Sequence, residues 1–148
     1  MIEVTDCPYY LLTRASLATT AMLRQQLAAA GAERIRPAYL GVLMCLWAED
    51  GLRAVELGRR AGLEPSTMTG LLDRMERDGL LARAPDPDDR RAHRITLTAA
   101  GRRAQKPVMR VIDRALERMF EGVPARDLET LKAVLRRVLV NANRLDQP

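Results

Sequence analysis

The sequence predicts a mainly α-helical fold carrying one small β-hairpin, and three observations support that expectation. Aromatic residues make up 3% of the 148 positions and Ala, Leu, Met and Arg are abundant, a composition suited to helices packed through aliphatic ridges rather than to a β-sandwich. Apolar residues recur at helical spacing at both ends of the chain. Between those ends lies "LRAVELGRRAGLEPSTMTGLLDRMERDGLL", then the charged finger "DPDDRRAHRITLTAAG", which reads as two short helices followed by a hairpin. The 47% hydrophobic content is enough for a core in a chain of this length, so residues 1–148 are expected to form a single domain.

The first helix is predicted from Tyr9 to about Ala30, through Leu12, Ala15, Leu17, Met22, Leu23 and Leu27, and stops at Gly31. A second starts at Pro37, a favoured first-turn residue. Its stretch "PAYLGVLMCLWAEDG" is apolar nearly all round until Asp50-Gly51 ends it, the pattern of a buried central helix. A short helix over Arg53 to Ala61 follows, with Val55, Leu57 and Ala61 as its apolar residues, and Gly62-Leu63-Glu64 turns the chain into another helix starting at Pro65-Ser66. In that helix Met68, Leu71, Leu72 and Met75 fall at i, i+3, i+4 and i+7, which leaves Ser66, Thr67, Thr69, Gly70, Asp73, Arg74 and Arg77 outward. Small hydrogen-bonding side chains near the start of a helix are what a helix-turn-helix presents to base edges. A plain helical hairpin, its second helix capped by Ser or Thr, would share the pattern.

A strand near Leu81 to Ala84, a turn rich in Pro and Asp, and a return strand in which Ile95 and Leu97 alternate with Arg94 and Thr96 complete a hairpin. Helix, turn, helix and hairpin in that order make a winged helix. Arg90, Arg91, His93 and Arg94 are then the groups that reach for DNA backbone and minor groove, with Asp89 holding the Arg91 guanidinium through a bidentate pair. A solvated turn without function is the competing reading. Thr98 should cap a long helix running to about Glu121, with Val108, Ile112, Leu116, Met119 and Phe120 on one side and Pro107 as a kink. Gly122 and Pro124 break it, and a last helix from Pro124 to about Leu145 carries Leu128, Leu131, Val134, Leu135, Val138 and Leu139. The terminal helices hold more apolar surface than a winged helix of this size covers. Residues 37–101 are therefore read as a DNA-binding lobe, and residues 1–36 and 102–148 as long dimerisation helices of a homodimer. An intramolecular bundle is the alternative.

The order of elements, the stretch "LGRRAGLEPSTMTGLLDRMERDGLLAR" and the finger "DPDDRR" followed by "ITLTAAG" resemble the MarR family of bacterial transcriptional regulators, named for multiple antibiotic resistance. The resemblance covers nearly the whole chain and is most specific from residue 54 to 101. It implies a homodimeric winged-helix repressor on a palindromic operator of double-stranded DNA, with the inserted helix in the major groove and the wing over the flanking minor groove. By position, Ser66, Thr67, Thr69, Gly70 and Arg74 match the family's major-groove surface, Asp89 with Arg91 its wing pair, and Arg90 a phosphate contact. Arg77 and His93 complete the expected DNA-binding set. The inserted helix carries the acids Glu64, Asp73, Glu76 and Asp78 against Arg74 and Arg77, so non-specific attraction is assigned to Arg53, Arg59, Arg60 and the wing.

The resemblance also implies a small aromatic or phenolic effector in a crevice between the dimer helices and the DNA-binding lobe. Tyr9, Tyr10, Arg14, Met44 and Trp47 are candidates to line it, with Arg14 as the carboxylate clamp. A core role competes for Met44 and Trp47. A second branch of the family senses organic hydroperoxides through a cysteine near the first helix, where Cys7 lies beside Tyr9 and Tyr10, whereas Cys45 is read as core.

The formal net charge of +5 fits a nucleic-acid partner without deciding for one. Two cysteines and one histidine supply no metal-ligand cluster, and no cofactor is expected. No apolar run suits a membrane span or a signal peptide, so the chain reads as cytoplasmic with no membrane partner. The single histidine sits on the wing, with no Ser-His or Cys-His pair and no Gly-rich phosphate loop, so no catalytic residue is assigned and enzyme activity is not expected. A winged helix used only to bind protein would keep the fold without needing the wing arginines.

Overall fold

The computed structural model describes residues 3–143. After a 3-10 turn at Val4–Asp6 come α1 (Pro8–Ala29), a second 3-10 turn at Pro37–Tyr39, α2 (Leu40–Ala48), β1 (Leu52–Arg53), α3 (Ala54–Ala61) and α4 (Pro65–Arg77). Then follow β2 (Leu81–Pro85), β3 (His93–Leu97), α5 (Ala99–Arg103), α6 (Gln105–Met119) and α7 (Ala125–Asn143). This is a winged helix-turn-helix with added helices at both ends. The chain divides into two compact units, one ending at Ala115 and the other beginning at Leu116.

The core of the first unit is aliphatic. Leu43 and Leu46 of α2, Leu57 of α3, all four apolar residues Met68, Leu71, Leu72 and Met75 of α4, and Ile95 and Leu97 of β3 are buried in one cluster. The same cluster takes in Leu27, Ile35, Val108 and Val111, so the hydrophobic centre of the lobe draws on residues outside 37–101. Gly62 sits at φ +67° between α3 and α4, a left-handed position that costs a glycine little. A Cβ on buried Gly58 would lie 3.1 Å from Cγ of Met68, which shows how closely the two helices approach. Val55 does not join this core: it is 87% exposed, because it stands two residues, about 200° of helical turn, from the inward Leu57.

The sheet is antiparallel in the order β1-β3-β2. Its hairpin register pairs Leu81 with Leu97 and Arg83 with Ile95, and β1 adds Leu52 opposite Ile95 and Arg53 opposite Arg94. The hairpin matches the expectation, but β1 was not anticipated, since two residues carry no periodicity to read. Pro85 is tolerated because β2 is an edge strand.

Thr98 caps α5 by accepting the Gly101 N–H at 3.0 Å, and its hydroxyl donates to the Gly79 carbonyl at 2.6 Å. Gly101 is buried against the Leu80 carbonyl, where a Cβ would collide with the oxygen. The single kinked helix expected after Thr98 is two helices, broken at Ala104 rather than kinked at Pro107. Pro107 has no N–H for the Arg103 carbonyl and its ring crowds that oxygen, so the chain re-enters helix just before it. The helix also stops at Met119, short of Glu121.

In the second unit, α7 buries none of its residues and leaves Leu131, Val134, Val138, Leu139 and Val140 exposed. The expected extension to Leu145 lies outside the described residues. In the first unit α1 behaves similarly: Leu27 is its one buried residue, while Tyr9, Leu11, Leu12 and Leu17 are exposed.

Candidate nucleic-acid interface

The outward side of α4 carries Ser66, Thr67, Thr69, Arg74 and Arg77, all exposed, with Gly70 half-buried among them. None of these residues caps the helix: the N-cap position is Glu64 and its side chain makes no capping bond, so the capped-hairpin reading loses its explanation for Ser66 and Thr67. The Thr69 hydroxyl donates to the Pro65 carbonyl at 3.1 Å.

The acids of this helix are largely committed elsewhere. Arg83 of β2 places Nη1 2.7 Å from Asp73 and 3.6 Å from Glu76, and Asp78 accepts the Tyr39 hydroxyl at 2.6 Å. Arg74 and Arg77 enter no ion pair among the described residues. Arg83 offsets one of the two carboxylate charges of Asp73 and Glu76, and Arg74 and Arg77 stand on the same helix without an ion-pair partner among the described residues.

Arg53, Arg59 and Arg60 differ from the expectation that they supply free positive charge. Arg59 donates to Glu56 through Nε at 3.0 Å and Nη2 at 2.7 Å. Arg60 donates to Glu56 at 2.6 Å and to Glu49 at 2.5 Å. The bonds from Arg59 and then Arg60 hold the Glu56 carboxyl down at about 2. The helical i, i+3 and i, i+4 spacings of these residues to Glu56 make such pairing the default.

The wing corrects two further expectations. Asp89 does not clamp the Arg91 guanidinium: its Oδ1 accepts the backbone N–H of Arg91 at 3.0 Å, because a carboxylate in a tight turn meets the N–H two residues on before it meets that residue's long side chain. Arg94 does not reach outward: Nη1 donates to the Gly51 carbonyl at 3.0 Å and Nε lies 3.1 Å from Oδ2 of Asp86. Arg90, Arg91 and His93 remain exposed and form no side-chain hydrogen bond or ion pair among the described residues.

Sequence reasoning missed Asp86, the one buried charged side chain among the described residues. Its Oδ1 accepts the Asp88 N–H at 2.8 Å and its Oδ2 accepts Nε of Arg53 at 2.7 Å. The Asp88 N–H first, then Arg53 and Arg94, hold its carboxyl below the usual range against the opposing effect of burial. The Asx-turn spacing was available in "DPD", but the Arg53 partner stands 33 positions away.

The candidate effector residues are not gathered in one place. Tyr9 and Tyr10 line a cavity of about 350 Å³ with Val4, Cys7 and Thr13. Met44 is exposed on α2, Arg14 is exposed on α1, and the half-buried Trp47 donates its indole N–H to the Gly101 carbonyl at 3.0 Å. A larger cavity of about 550 Å³ is walled instead by Thr20, Arg24, Glu33, Arg36, Tyr39 and Arg74 over an apolar floor that includes Leu27 and Ile35. Burial, followed by the bond to Asp78, raises the Tyr39 hydroxyl above its ordinary value, so it stays a neutral donor at physiological pH. Among the described residues no group of His, Cys, Asp and Glu could hold a metal ion, and no helix is long and apolar enough to cross a membrane.

Comparison with known proteins follows the same lines. A family model described as the MarR family matches residues 36–93. The HTH-type transcriptional regulator TtmR of Methylorubrum extorquens is 47% identical over 66 residues, covering 45% of this chain. The transcriptional activatory protein BadR of Rhodopseudomonas palustris is 34% identical over 115 residues, covering 74% of this chain. The matches span 33% of TtmR and 63% of BadR. Among solved structures, a MarR-family regulator from Silicibacter pomeroyi is 31% identical with a TM-score of 0.70, covering 95% of this chain and 92% of its own. The PcaV regulator of Streptomyces coelicolor, solved with its natural ligand, has a TM-score of 0.85 at 27% identity, covering 96% of this chain and 98% of its own. The repressor CouR, solved on a 23-mer DNA duplex, has a TM-score of 0.81 at 26% identity, covering 92% and 94%.

Proposed function

The chain belongs to the MarR family of DNA-binding transcriptional regulators, and from that premise we propose that it is a cytoplasmic repressor. It acts as a homodimer on a palindromic operator and is released by a small aromatic acid. The observation that carries this reading is the division of arginines. Arg74 and Arg77 on α4, and Arg90 and Arg91 on the wing, are exposed and unpaired among the described residues, while other guanidiniums of the lobe are tied to carboxylates. Ser66, Thr67 and Thr69 read base edges, Gly70 lets the helix backbone come close, and Arg74 and Arg77 contact the major groove and its phosphates. Asp89 shapes the turn from which Arg90, Arg91 and His93 reach the minor groove.

Residues 37–101 act as the reading lobe, and residues 1–36 and 102–148 as the dimerisation helices. The exposed apolar residues of α1 and α7 support that assignment. The homodimer's two-fold symmetry would require a palindromic operator. The larger cavity suits an aromatic acid, with Arg24, Arg36 and Arg74 available to a carboxylate and the apolar floor to a ring. Tyr9, Tyr10, Arg14, Met44 and Trp47 would contribute only where the dimer brings them to the same crevice.

Fluorescence-anisotropy titration against the chain's own upstream intergenic DNA and a scrambled duplex, at fixed salt, tests the core of this. Wild type should prefer the native duplex, and Arg91→Ala should weaken operator binding by about tenfold. Equal affinity for both duplexes, unaffected by Arg91→Ala, would point to a winged helix that binds protein. Release by salicylate supports the aromatic-acid reading. Release by an organic hydroperoxide, abolished in Cys7→Ser, supports instead a thiol sensor, a second reading that rests on Cys7 sharing its cavity with Tyr9 and Tyr10. Reporter transcription in a deletion strain gives the sign of regulation, rising for a repressor and falling for an activator of the kind BadR is named as.

A further inference from the structure

We infer that Asp86 is a specificity-determining positioning residue: it holds Arg53 and Arg94 at the base of the wing, so that within the wing only Arg90 and Arg91 at the tip deliver arginine charge to DNA. The inference rests on the proposed wing contact. Its consequence is that this buried carboxylate sets how strongly the protein prefers an operator to arbitrary duplex.

The side chain of Asp86 has no exposed surface, whereas those of Arg53 and Arg94 are 45% and 39% exposed. The carboxylate therefore sits beneath two guanidiniums that lie at the surface while paired with it. Arg53 belongs to β1 and Arg94 to β3, and these two residues are paired across the sheet, so one carboxylate gathers the charges of neighbouring strands. Above it the turn fixes its own backbone: Asp86 N donates to the Ala92 carbonyl and Ala92 N to the Asp89 carbonyl, both at 3.0 Å. Arg90 and Arg91 thus project from a closed loop whose root is the Asp86 cluster. Without the carboxylate, Arg53 on its flexible stem, and Arg94 once its bond to the Gly51 carbonyl gives way, would face the duplex beside the tip and bind any phosphate. Affinity gained that way carries no sequence information.

A carboxylate that merely supports the fold would, when lost, weaken both kinds of DNA alike. One that sequesters arginines predicts tighter binding to arbitrary duplex with no matching gain on the operator. The test is anisotropy titration of the full chain over a salt series on an operator duplex, obtained by in vitro selection, and on scrambled duplex. Asp88→Asn, which makes the same charge change on the same turn without touching Arg53 or Arg94, serves as the baseline.

Asp86→Asn should bind scrambled duplex about three- to tenfold more tightly than that baseline, with a salt slope steeper by about one to two, and should lose about tenfold in operator preference. Adding Arg53→Gln to Asp86→Asn should bring the slope part of the way back. Arg53→Gln alone should leave the wild-type slope unchanged, because Arg53 is already sequestered, and this arm holds even if Asp86→Asn folds poorly. An Arg53→Gln slope that falls as far as that of Arg91→Ala overturns the inference, as does equal weakening of both duplexes by Asp86→Asn. If Arg91→Ala itself leaves operator affinity and slope untouched, the wing reading beneath the inference is what fails.

Discussion

Helices α4 and α7 announce themselves in the sequence with the same apolar spacing and end differently. All four apolar residues of the α4 stripe are buried, while α7, at 19 residues the longer helix, buries none. Amphipathicity states that a helix has a face to cover and says nothing about what covers it. In α4 the cover is the chain's own core. In α7 the stripe is left open, which is the physical ground for assigning it to a second copy.

That contrast can be attacked from its closed side first. Gly101→Ala drives a methyl into the Leu80 carbonyl and should cost more than about 3 kcal/mol or prevent soluble expression, as chemical denaturation would register. Truncation then separates the two helices. Leu72→Ala should lower stability by about 2–5 kcal/mol at every protein concentration. Val134→Asp, at a position 53% exposed, should leave the single chain within about 0.5 kcal/mol of wild type and shift sedimentation equilibrium toward monomer. If Val134→Asp sediments as wild type does, α7 is not the dimer face.

The closed side should also show a pH signature in the Glu56 cluster. The folded Glu56 carboxyl lies at about 2 against an ordinary 4.5. Its contribution is therefore complete above about 4.5 and lost as pH falls through the interval down to about 2. Glu56→Gln should narrow the melting-temperature difference between pH 7 and pH 3, and the gap between the two proteins should close at the acid end. The smallest effect is expected at Gly70, where a Cβ meets nothing within 4 Å. Gly70→Ala should raise stability by about 0.5–1 kcal/mol while lowering operator affinity, a split that marks a position kept small for DNA and not for packing.

The elements themselves were largely legible, because each long helix and both hairpin strands carry a period that survives in one dimension. What stayed hidden was partnership. Asp89 and Arg91 are near neighbours in either reading, and spacing alone cannot tell a guanidinium from a backbone N–H as the donor. Arg94 reads as a reaching group until Asp86 is seen beneath it, and Arg59 and Arg60 read as free charge until Glu56 and Glu49 are placed. The larger cavity escaped for the same reason: Thr20, Tyr39 and Arg74 belong to three elements that meet only in the fold.

Arg74 belongs both to the exposed side of α4 and to the wall of that cavity. An Arg74 side chain turned into the cavity to hold the carboxylate of a bound acid would not also lie in the groove against a phosphate of the operator. The two occupants would thus be rivals for a single side chain, with no need for a large rearrangement between distant sites. Whatever factor the acid takes from the affinity for DNA, the operator must take from the affinity for the acid. A promoter-bound dimer would then be a poorer sensor than a free one, and induction would depend on how much operator the cell contains as well as on how much acid.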